Sequence, residues 1–219
     1  MTDASGEPIV VHSVQEEYFY LMVHRCSCGG PWLGEAQEFV EGGPELRHHV
    51  SGKCFKCAAR KEFTFDLSRA GPQPTAPSVI RQISASAEPS RAVDAVEWAD
   101  LARFYLERIQ RLKRPVEKAQ SLLDARQCTE EALKFFGPAD AAPPPAAVWS
   151  DATRRKLAKD PDAYSRARLQ AMVDRMPSIE ELRQVDALDQ KVFDKAVKEE
   201  AKKRVGKWWQ VWKRFRRNT

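Results

Sequence analysis

The sequence predicts an α+β protein, with a small antiparallel β module first and a mainly α-helical region after it. Four of the five cysteines lie within 32 residues of one another, in a segment rich in strand-forming residues. After about residue 90, apolar residues recur at three- and four-residue steps, which is the period of a helix. Proline-rich stretches separate these parts, because regular structure is hard to continue there.

The clustered cysteines form two short pairs, in the segments C-S-C-G-G at residues 26–30 and C-F-K-C at residues 54–57. Zinc prefers four tetrahedral thiolate or imidazole ligands, and a tight turn can present two sulfurs from each pair. Gly29 and Gly30 follow the first pair, where such a turn needs a positive φ. We therefore predict a structural zinc ion whose ligands are Cys26, Cys28, Cys54 and Cys57.

The segments that flank the pairs look like strands. Residues 16–25, E-E-Y-F-Y-L-M-V-H-R, enter the first pair, and residues 61–67 leave the second with Phe63 and Phe65 on one face. The intervening residues are long enough for a hairpin that turns at Gly42 and Gly43. The predicted order is a strand, the first cysteine turn, a hairpin, the second cysteine turn and a final strand.

With this order, the segment resembles the zinc-ribbon class. Its C-x-C-G-G start and F-T-F-D end are similar to uncharacterised bacterial zinc-ribbon proteins, over about 50 residues. The resemblance implies a structural metal and no activity. The usual ribbon has C-x-x-C where this chain has C-x-C, so His24, His48 or His49 is an alternative ligand. On a strand His48 and His49 would point to opposite faces, so one of them at most could reach the metal.

The sequence pattern after about residue 90 predicts helices. Pro115 fits the first turn of the second arm of a helical hairpin, and Gly137 with Pro138 ends that arm. Cys128 lies in this arm and is interpreted as a buried thiol. The apolar faces of the two arms consist of Trp98, Leu101, Ala102, Tyr105, Ile109 and Leu112, and of Val116, Ala119, Leu122, Leu123, Ala132, Leu133, Phe135 and Phe136. The predicted helix starts that follow are Ser150, Asp162 and a capping box of Ser178 with Glu181.

These signals divide the chain into five parts. We predict a zinc ribbon at 1–67, an extended linker at 68–90, the helical hairpin at 91–137, a stiff proline-rich spacer at 138–149 and a helical region at 150–219. Regular structure is hard to continue through the first ten residues, and His12 just after them lies in a segment expected to be flexible. The start of the sequence does not resemble a secretory signal, and no apolar run is long enough for a membrane span, so we expect a cytoplasmic protein.

The positive charge is concentrated at the end of the chain. The formal net charge is +5, yet residues 202–219 hold eight basic residues and no acidic one. The apolar residues there recur at helical spacing, which predicts a basic amphipathic helix. Its candidate contacts with phosphate or with a partner are Lys203, Lys207, Trp208, Trp209, Trp212, Lys213, Arg214, Arg216 and Arg217.

Three interpretations of that helix stay open. Its aromatic residues could pack on other helices, contact nucleic acid through stacking and phosphate binding, or lie on a membrane surface or in the groove of a partner. The ribbon does not favour nucleic acid, because residues 1–75 hold seven basic and ten acidic residues.

The sequence contains no phosphate-binding glycine loop, no H-E-x-x-H and no G-x-S-x-G. We therefore expect a non-enzymatic protein with no small-molecule substrate. The favoured function is protein interaction, as an adaptor or assembly component. The alternatives are a nucleic-acid-binding or regulatory protein that uses the basic helix, and a protein that associates with a membrane surface through it.

Overall fold

A computed structural model describes residues 7–42, 45–70 and 83–182. It confirms the α+β class. The strands are β1 (Ile9–Val10), β2 (Trp32–Gly42), β3 (Glu45–Cys54) and β4 (Arg60–Asp66), and the helices are α1 (Val14–Val23), α2 (Ala95–Ile109), α3 (Pro115–Leu133), α4 (Asp151–Lys159) and α5 (Arg166–Arg175). Short 3-10 turns lie at Pro145–Ala147 and Asp162–Tyr164.

The strands form one sheet in the order β1-β4-β3-β2. The predicted hairpin is present, since β2 pairs antiparallel with β3 from Trp32 opposite Cys54 to Gly42 opposite Glu45. β3 also pairs antiparallel with β4, but β1 pairs parallel with β4. The sheet is therefore mixed, although its three longer strands are antiparallel as predicted.

The predicted first strand is wrong, because residues 14–23 form helix α1. The side chain of Ser13 accepts a hydrogen bond from the backbone N–H of Glu16 and so caps the helix start. The helix is covered on two sides, which conceals the periodic pattern of a half-exposed helix. Phe19 packs on Trp98 and Tyr105 of α2.

The opposite side of α1 packs on the sheet. The ring of Tyr20 meets Phe63 and Phe65 edge-on, with centroids 6.1 and 5.5 Å apart. Phe63 and Phe65 are both buried, which confirms that they share the inner face of β4. One hydrophobic core thus runs from the sheet through α1 to α2.

The prediction of a flexible start is also wrong for the described part of it. β1 begins at Ile9, and His12 is only 3% exposed. The backbone N–H of His12 donates to the carboxylate of Glu16 at 2.6 Å, and the hydroxyl of Ser90 donates to the same carboxylate. These hydrogen bonds tie the segment to α1 and to the chain before α2.

Helices α2 and α3 lie side by side as the two arms of a hairpin. Asp94 and Glu97 form a capping box at the start of α2, and Pro115 is in the first turn of α3. The hydroxyl of Ser121 on α3 donates to the carbonyl of Tyr105 on α2 at 2.9 Å. Cys128 is completely buried, as predicted, and burial raises the pKa of its thiol.

The described parts of the two predicted spacers pack against the protein. In the first, Ile83 is buried and its N–H donates to the side chain of Gln127 at 2.8 Å. In the second, Pro143, Ala147 and Val148 are buried. Apolar residues within these proline-rich stretches therefore hold them on the core, so neither described part is a free spacer.

The predicted helix starts in the last third have different outcomes. Ser150 caps α4, and Ser178 forms the predicted capping box with Glu181. Asp162 is not the cap of an α-helix, because it lies in a 3-10 turn and Ser165 caps α5 instead. In the part of the chain described here, no helix combines the length and apolar character needed to cross a membrane.

Candidate metal centre

The four predicted cysteine ligands come together at one end of the sheet. Cys26 and Cys28 lie in the turn that follows α1, Cys54 ends β3, and Cys57 lies in the turn before β4. The hairpin between the pairs returns the chain to the same place, because Trp32 at its start is opposite Cys54 at its end.

The four sulfur atoms all lie within 4.8 Å of one another. The Sγ atoms of Cys26 and Cys57 are 3.7 Å apart, and those of Cys28 and Cys54 are 3.4 Å apart. Zinc–sulfur bonds of about 2.3 Å in a tetrahedron would separate the sulfurs by roughly 3.8 Å. The cluster therefore has the size that a tetrahedral metal ion requires.

Backbone hydrogen bonds shape the first cysteine turn. The N–H of Gly29 donates to the carbonyl of Cys26 at 2.7 Å, and the N–H of Cys26 donates to Gly30 at 2.9 Å. Gly29 has a φ of +80°, which glycine adopts without strain. Gly30 is needed for space, because a Cβ atom there would lie 2.7 Å from the sulfur of Cys54 and 2.7 Å from the Cβ of Lys56.

The second turn has the same hydrogen-bonded form. The N–H of Ala58 donates to the carbonyl of Cys54 at 3.0 Å, and that of Cys54 donates to Ala59 at 2.8 Å. The N–H of Phe55 donates to the carbonyl of Pro31 at 3.0 Å, which joins this turn to the start of β2. Ala58 has a φ of +59°, the one positive value at a non-glycine residue in the described segments.

Backbone N–H groups that face the sulfurs favour thiolates. The amide of Cys28 lowers the pKa of Cys26, and the amides of Cys57 and Lys56 lower the pKa of Cys54 to about 6. At Cys57 the amide of Ala59 acts in the same direction, but hydrogen bonds with the other three sulfurs raise the pKa to about 12. Four thiolates so close together repel one another, and a bound cation would remove that cost.

The four cysteines differ in solvent exposure. Cys26 and Cys54 are buried, Cys28 is half-buried and Cys57 is exposed. Four thiolates would complete the coordination shell of a tetrahedral ion and leave no position for water.

The histidine alternatives have other contacts. His24 stacks on Tyr20 and bonds the carbonyl of Ala92 at 3.0 Å, while His49 is exposed beside Thr64. His48 is fully buried and bonds Glu17, so the two adjacent histidines do face opposite sides of the sheet. Within residues 7–42, 45–70 and 83–182, the cysteines alone form a group that could hold a metal.

Sequence reasoning missed the buried pair of Glu17 and His48. The carboxylate of Glu17 lies 2.6 Å from Nδ1 of His48, and both side chains are almost completely inaccessible. Burial first, and then the charge of Glu16, raise the pKa of Glu17 to about 8. Burial and then His49 lower the pKa of His48. The pair was not predicted, because residues 16–25 were expected to form a strand, and a strand there would not place Glu17 against β3.

The nine tail residues predicted to contact phosphate or a partner lie outside the described residues. They are Lys203, Lys207, Trp208, Trp209, Trp212, Lys213, Arg214, Arg216 and Arg217.

Comparison with models of protein families, with curated proteins and with solved structures finds no match. The fold and the site by themselves define an α+β protein with a four-cysteine cluster that could hold a metal ion.

Proposed function

We propose that the cluster binds one structural zinc ion, in a module of the zinc-ribbon kind, and that the protein works without catalysis in protein–protein interaction. The observation that carries the zinc proposal is the convergence of four Sγ atoms within 4.8 Å. A four-thiolate tetrahedral site suits zinc, and also iron. The thiols suit a reducing compartment such as the cytoplasm, where cysteines hold metal more often than they form disulfides.

Metal analysis of the purified protein tests this proposal. We expect about one zinc per chain, and no more than traces of iron. Cys54→Ser should abolish stoichiometric zinc, whereas Cys128→Ala is the matched control, because Cys128 is buried far along the chain in α3. Stoichiometric iron would overturn the choice of metal, and equal zinc in the Cys54→Ser protein would overturn the site.

The interaction proposal is supported by where apolar side chains are exposed. Eight large hydrophobic residues are exposed in the described segments, and five of them lie on β2, on β3 or directly after β3. These side chains lie on both faces of the β2–β3 hairpin rather than in one patch, and a strand at the end of the strand order can add a strand from another chain. Those five are Leu33, Phe39, Val40, Leu46 and Phe55.

A pair of phenylalanine variants tests the interaction proposal. Phe39 on β2 and Phe104 on α2 are 54% and 46% exposed, and each is replaced by serine. Because the ring of Phe39 also stacks on buried His48 at 4.1 Å, thermal unfolding must first establish that Phe39→Ser is folded. Partners captured from a native lysate by the wild type and by Phe104→Ser should be lost with Phe39→Ser. Retention of all partners by Phe39→Ser would count against an interaction surface on the sheet.

A second candidate function rests on the tail. Residues 202–219 hold eight basic residues and no acidic one. This composition favours binding to a polyanion, either nucleic acid or an anionic membrane surface. Fluorescence anisotropy with labelled single- and double-stranded nucleic acid, across a salt series, tests it. Replacement of Lys213, Arg214, Arg216 and Arg217 by alanine should then abolish binding, and binding that is unchanged would assign it elsewhere.

A further inference from the structure

A group of cations lies where α2 passes into α3, at residues 107–118, which we call the α2–α3 tip. This segment holds five basic and two acidic residues. The basic side chains are all exposed, and they are Arg108, Arg111, Lys113, Arg114 and Lys118. Positive charge is therefore concentrated in a second place, besides residues 202–219.

Ion pairs neutralise only part of this charge. Arg114 contacts Glu117 at 3.8 Å, but both side chains are exposed, so solvent screens the pair. Burial raises the pKa of Asp124 on α3 to about 6, against a hydrogen bond from Gln120 and the charge of Arg108. The three remaining cations form no ion pair within residues 7–42, 45–70 and 83–182, and they are Arg111, Lys113 and Lys118. These three are available to an external anion.

The start of α3 adds to the positive potential of the tip. Arg114 is the residue before this helix, and its side chain makes no capping hydrogen bond to the first turn. The start of a helix is the positive end of its macrodipole, where cations are unfavourable and anions are stabilised. Arg114 and, one turn later, Lys118 both lie at this end. A bound phosphate would relieve that repulsion.

The last described residues run towards the same tip. The guanidinium of Arg126 on α3 donates to the carbonyl of Pro177 at 3.1 Å. Five residues later, Leu182 packs with Ala119 and Leu123, which are nearer the start of α3. The described part of the chain therefore ends beside the last residue of the α2–α3 tip.

The basic residues of positions 202–219 are tethered to this point. Nineteen residues separate them from Leu182, a length that spans at most about 70 Å. Linked sites that contact one partner bind it more tightly than either site alone. A polyanion would therefore gain affinity by contacting the α2–α3 tip as well as residues 202–219.

We propose that the α2–α3 tip binds the phosphate backbone of a nucleic acid, together with residues 202–219. Lysine and arginine bind phosphates without reading the bases. A membrane surface fits the tip less well, because attachment to lipid also uses exposed apolar side chains. Residues 107–118 expose no large hydrophobic side chain, and the nearest one, Phe104, lies one turn earlier on α2. This inference rests on the second candidate function and gives its polyanion a site on the described helices.

Fluorescence anisotropy of the purified full-length chain with labelled single- and double-stranded oligonucleotides, across a salt series, tests the proposal. Arg111, Lys113 and Lys118 are replaced together by alanine, which removes three phosphate contacts. Affinity at low salt should fall about tenfold or more. The slope of log affinity against log salt should become shallower by about two for a single strand and nearly three for a duplex.

A matched control removes three exposed cations elsewhere on the helices. These are Arg155 and Lys159 of α4 and Arg168 of α5. The control should bind like the wild type, and thermal unfolding establishes that both triple variants are folded. Equal weakening by the control would show that binding follows net charge, and an unchanged affinity and salt slope in the tip variant would show that the tip makes no contact. Either result would overturn the proposal.

Two further measurements separate this inference from the proposed functions. Binding to vesicles of phosphatidylcholine and phosphatidylserine, without binding to either oligonucleotide, would overturn the choice of nucleic acid. Loss of binding in the alanine variant of residues 213, 214, 216 and 217, but not in the tip variant, would leave the second candidate function standing and overturn only the tip. Zinc content and lysate partners are measured separately, so neither depends on this result.

Discussion

At the scale of single residues, Ala58 is held in a conformation that suits glycine. Its φ of +59° places a Cβ atom in the left-handed region, which costs about 1–2 kcal/mol. We expect Ala58→Gly to raise the free energy of unfolding by about 1 kcal/mol, measured by denaturant titration of the zinc-loaded protein.

The neighbouring alanine provides the control. Ala59 does not have a positive φ, so Ala59→Gly should lower stability, because it only increases the freedom of the unfolded chain. Equal effects of the two substitutions would show that φ at Ala58 stores no strain.

We expect a side chain at position 30 to lower metal affinity by steric contact, rather than to strain the backbone. An alanine there would press on the sulfur of Cys54 and on the Cβ of Lys56, so one cysteine turn must shift. We expect Gly30→Ala to weaken zinc binding about tenfold or more in chelator competition. Gly29→Ala is the contrast, since a Cβ there meets nothing within 4 Å and costs mainly conformational strain. The reverse order of zinc affinities would contradict this assignment.

At the scale of elements, α1 joins the sheet to the helices. Phe19 is 1% exposed between the rings of Trp98 and Tyr105, with centroid distances of 5.3 and 6.1 Å. Phe19→Ala should cost about 3–5 kcal/mol of unfolding free energy. The adjacent Tyr18 is 50% exposed, and Tyr18→Ala should cost much less. Similar losses in a denaturant titration would mean that α1 does not join the two parts.

The buried pair on α1 and β3 predicts a pH dependence. The pKa of Glu17 is raised from 4.5 to about 8, so between these values the folded protein keeps a proton that the unfolded chain releases. This group therefore lowers stability as pH rises through that interval. A protonated Glu17 donates to His48, and glutamine can do the same without titrating.

Glu17→Gln should accordingly gain stability relative to the wild type as pH rises from about 6 to 8. Thermal unfolding of the zinc-loaded proteins at several pH values measures the difference. Glu62→Gln, at an exposed site, should track the wild type at every pH. A constant difference between Glu17→Gln and the wild type would show that Glu17 does not titrate in this range.

Sequence reasoning identified the elements whose patterns are local. The cysteine spacing, the alternation of Phe63 and Phe65 and the helical period of α2 each depend on near neighbours in the chain. α1 could not be predicted in the same way. Its aromatic residues pack on the sheet and on α2 together, so its composition resembles that of a strand. Burial of Ile83 likewise depends on a tertiary contact, with Gln127 of α3.

At the scale of the whole molecule, a bound metal should stabilise the sheet more than the far side of α3. On that side of α3, Ala119 and Leu123 pack with Leu182 in a second cluster, apart from the core that the sheet, α1 and α2 share. The sheet is small, so an ion held by the four cysteines at its end would add to its stability.

Removal of zinc with a chelator should therefore affect the two parts unequally. In hydrogen exchange followed by mass spectrometry, peptides from β3 and β4 should lose most of their protection, while peptides from α3 retain more. Equal loss throughout would mean that the sheet and the helices unfold as one cooperative unit, through the core that they share.

A metal ion that holds Cys28 and Cys54 together would also reduce the conformational entropy of the unfolded chain. The two residues are 26 apart in sequence, and the loop between them contains the whole β2–β3 hairpin. An ion that stayed bound to both cysteine turns would close this loop as a covalent bridge does, and closing a loop of this size removes entropy worth about 3.5 kcal/mol from the unfolded ensemble. Because this contribution depends on loop length rather than native packing, an insertion at the hairpin tip would increase it only slightly.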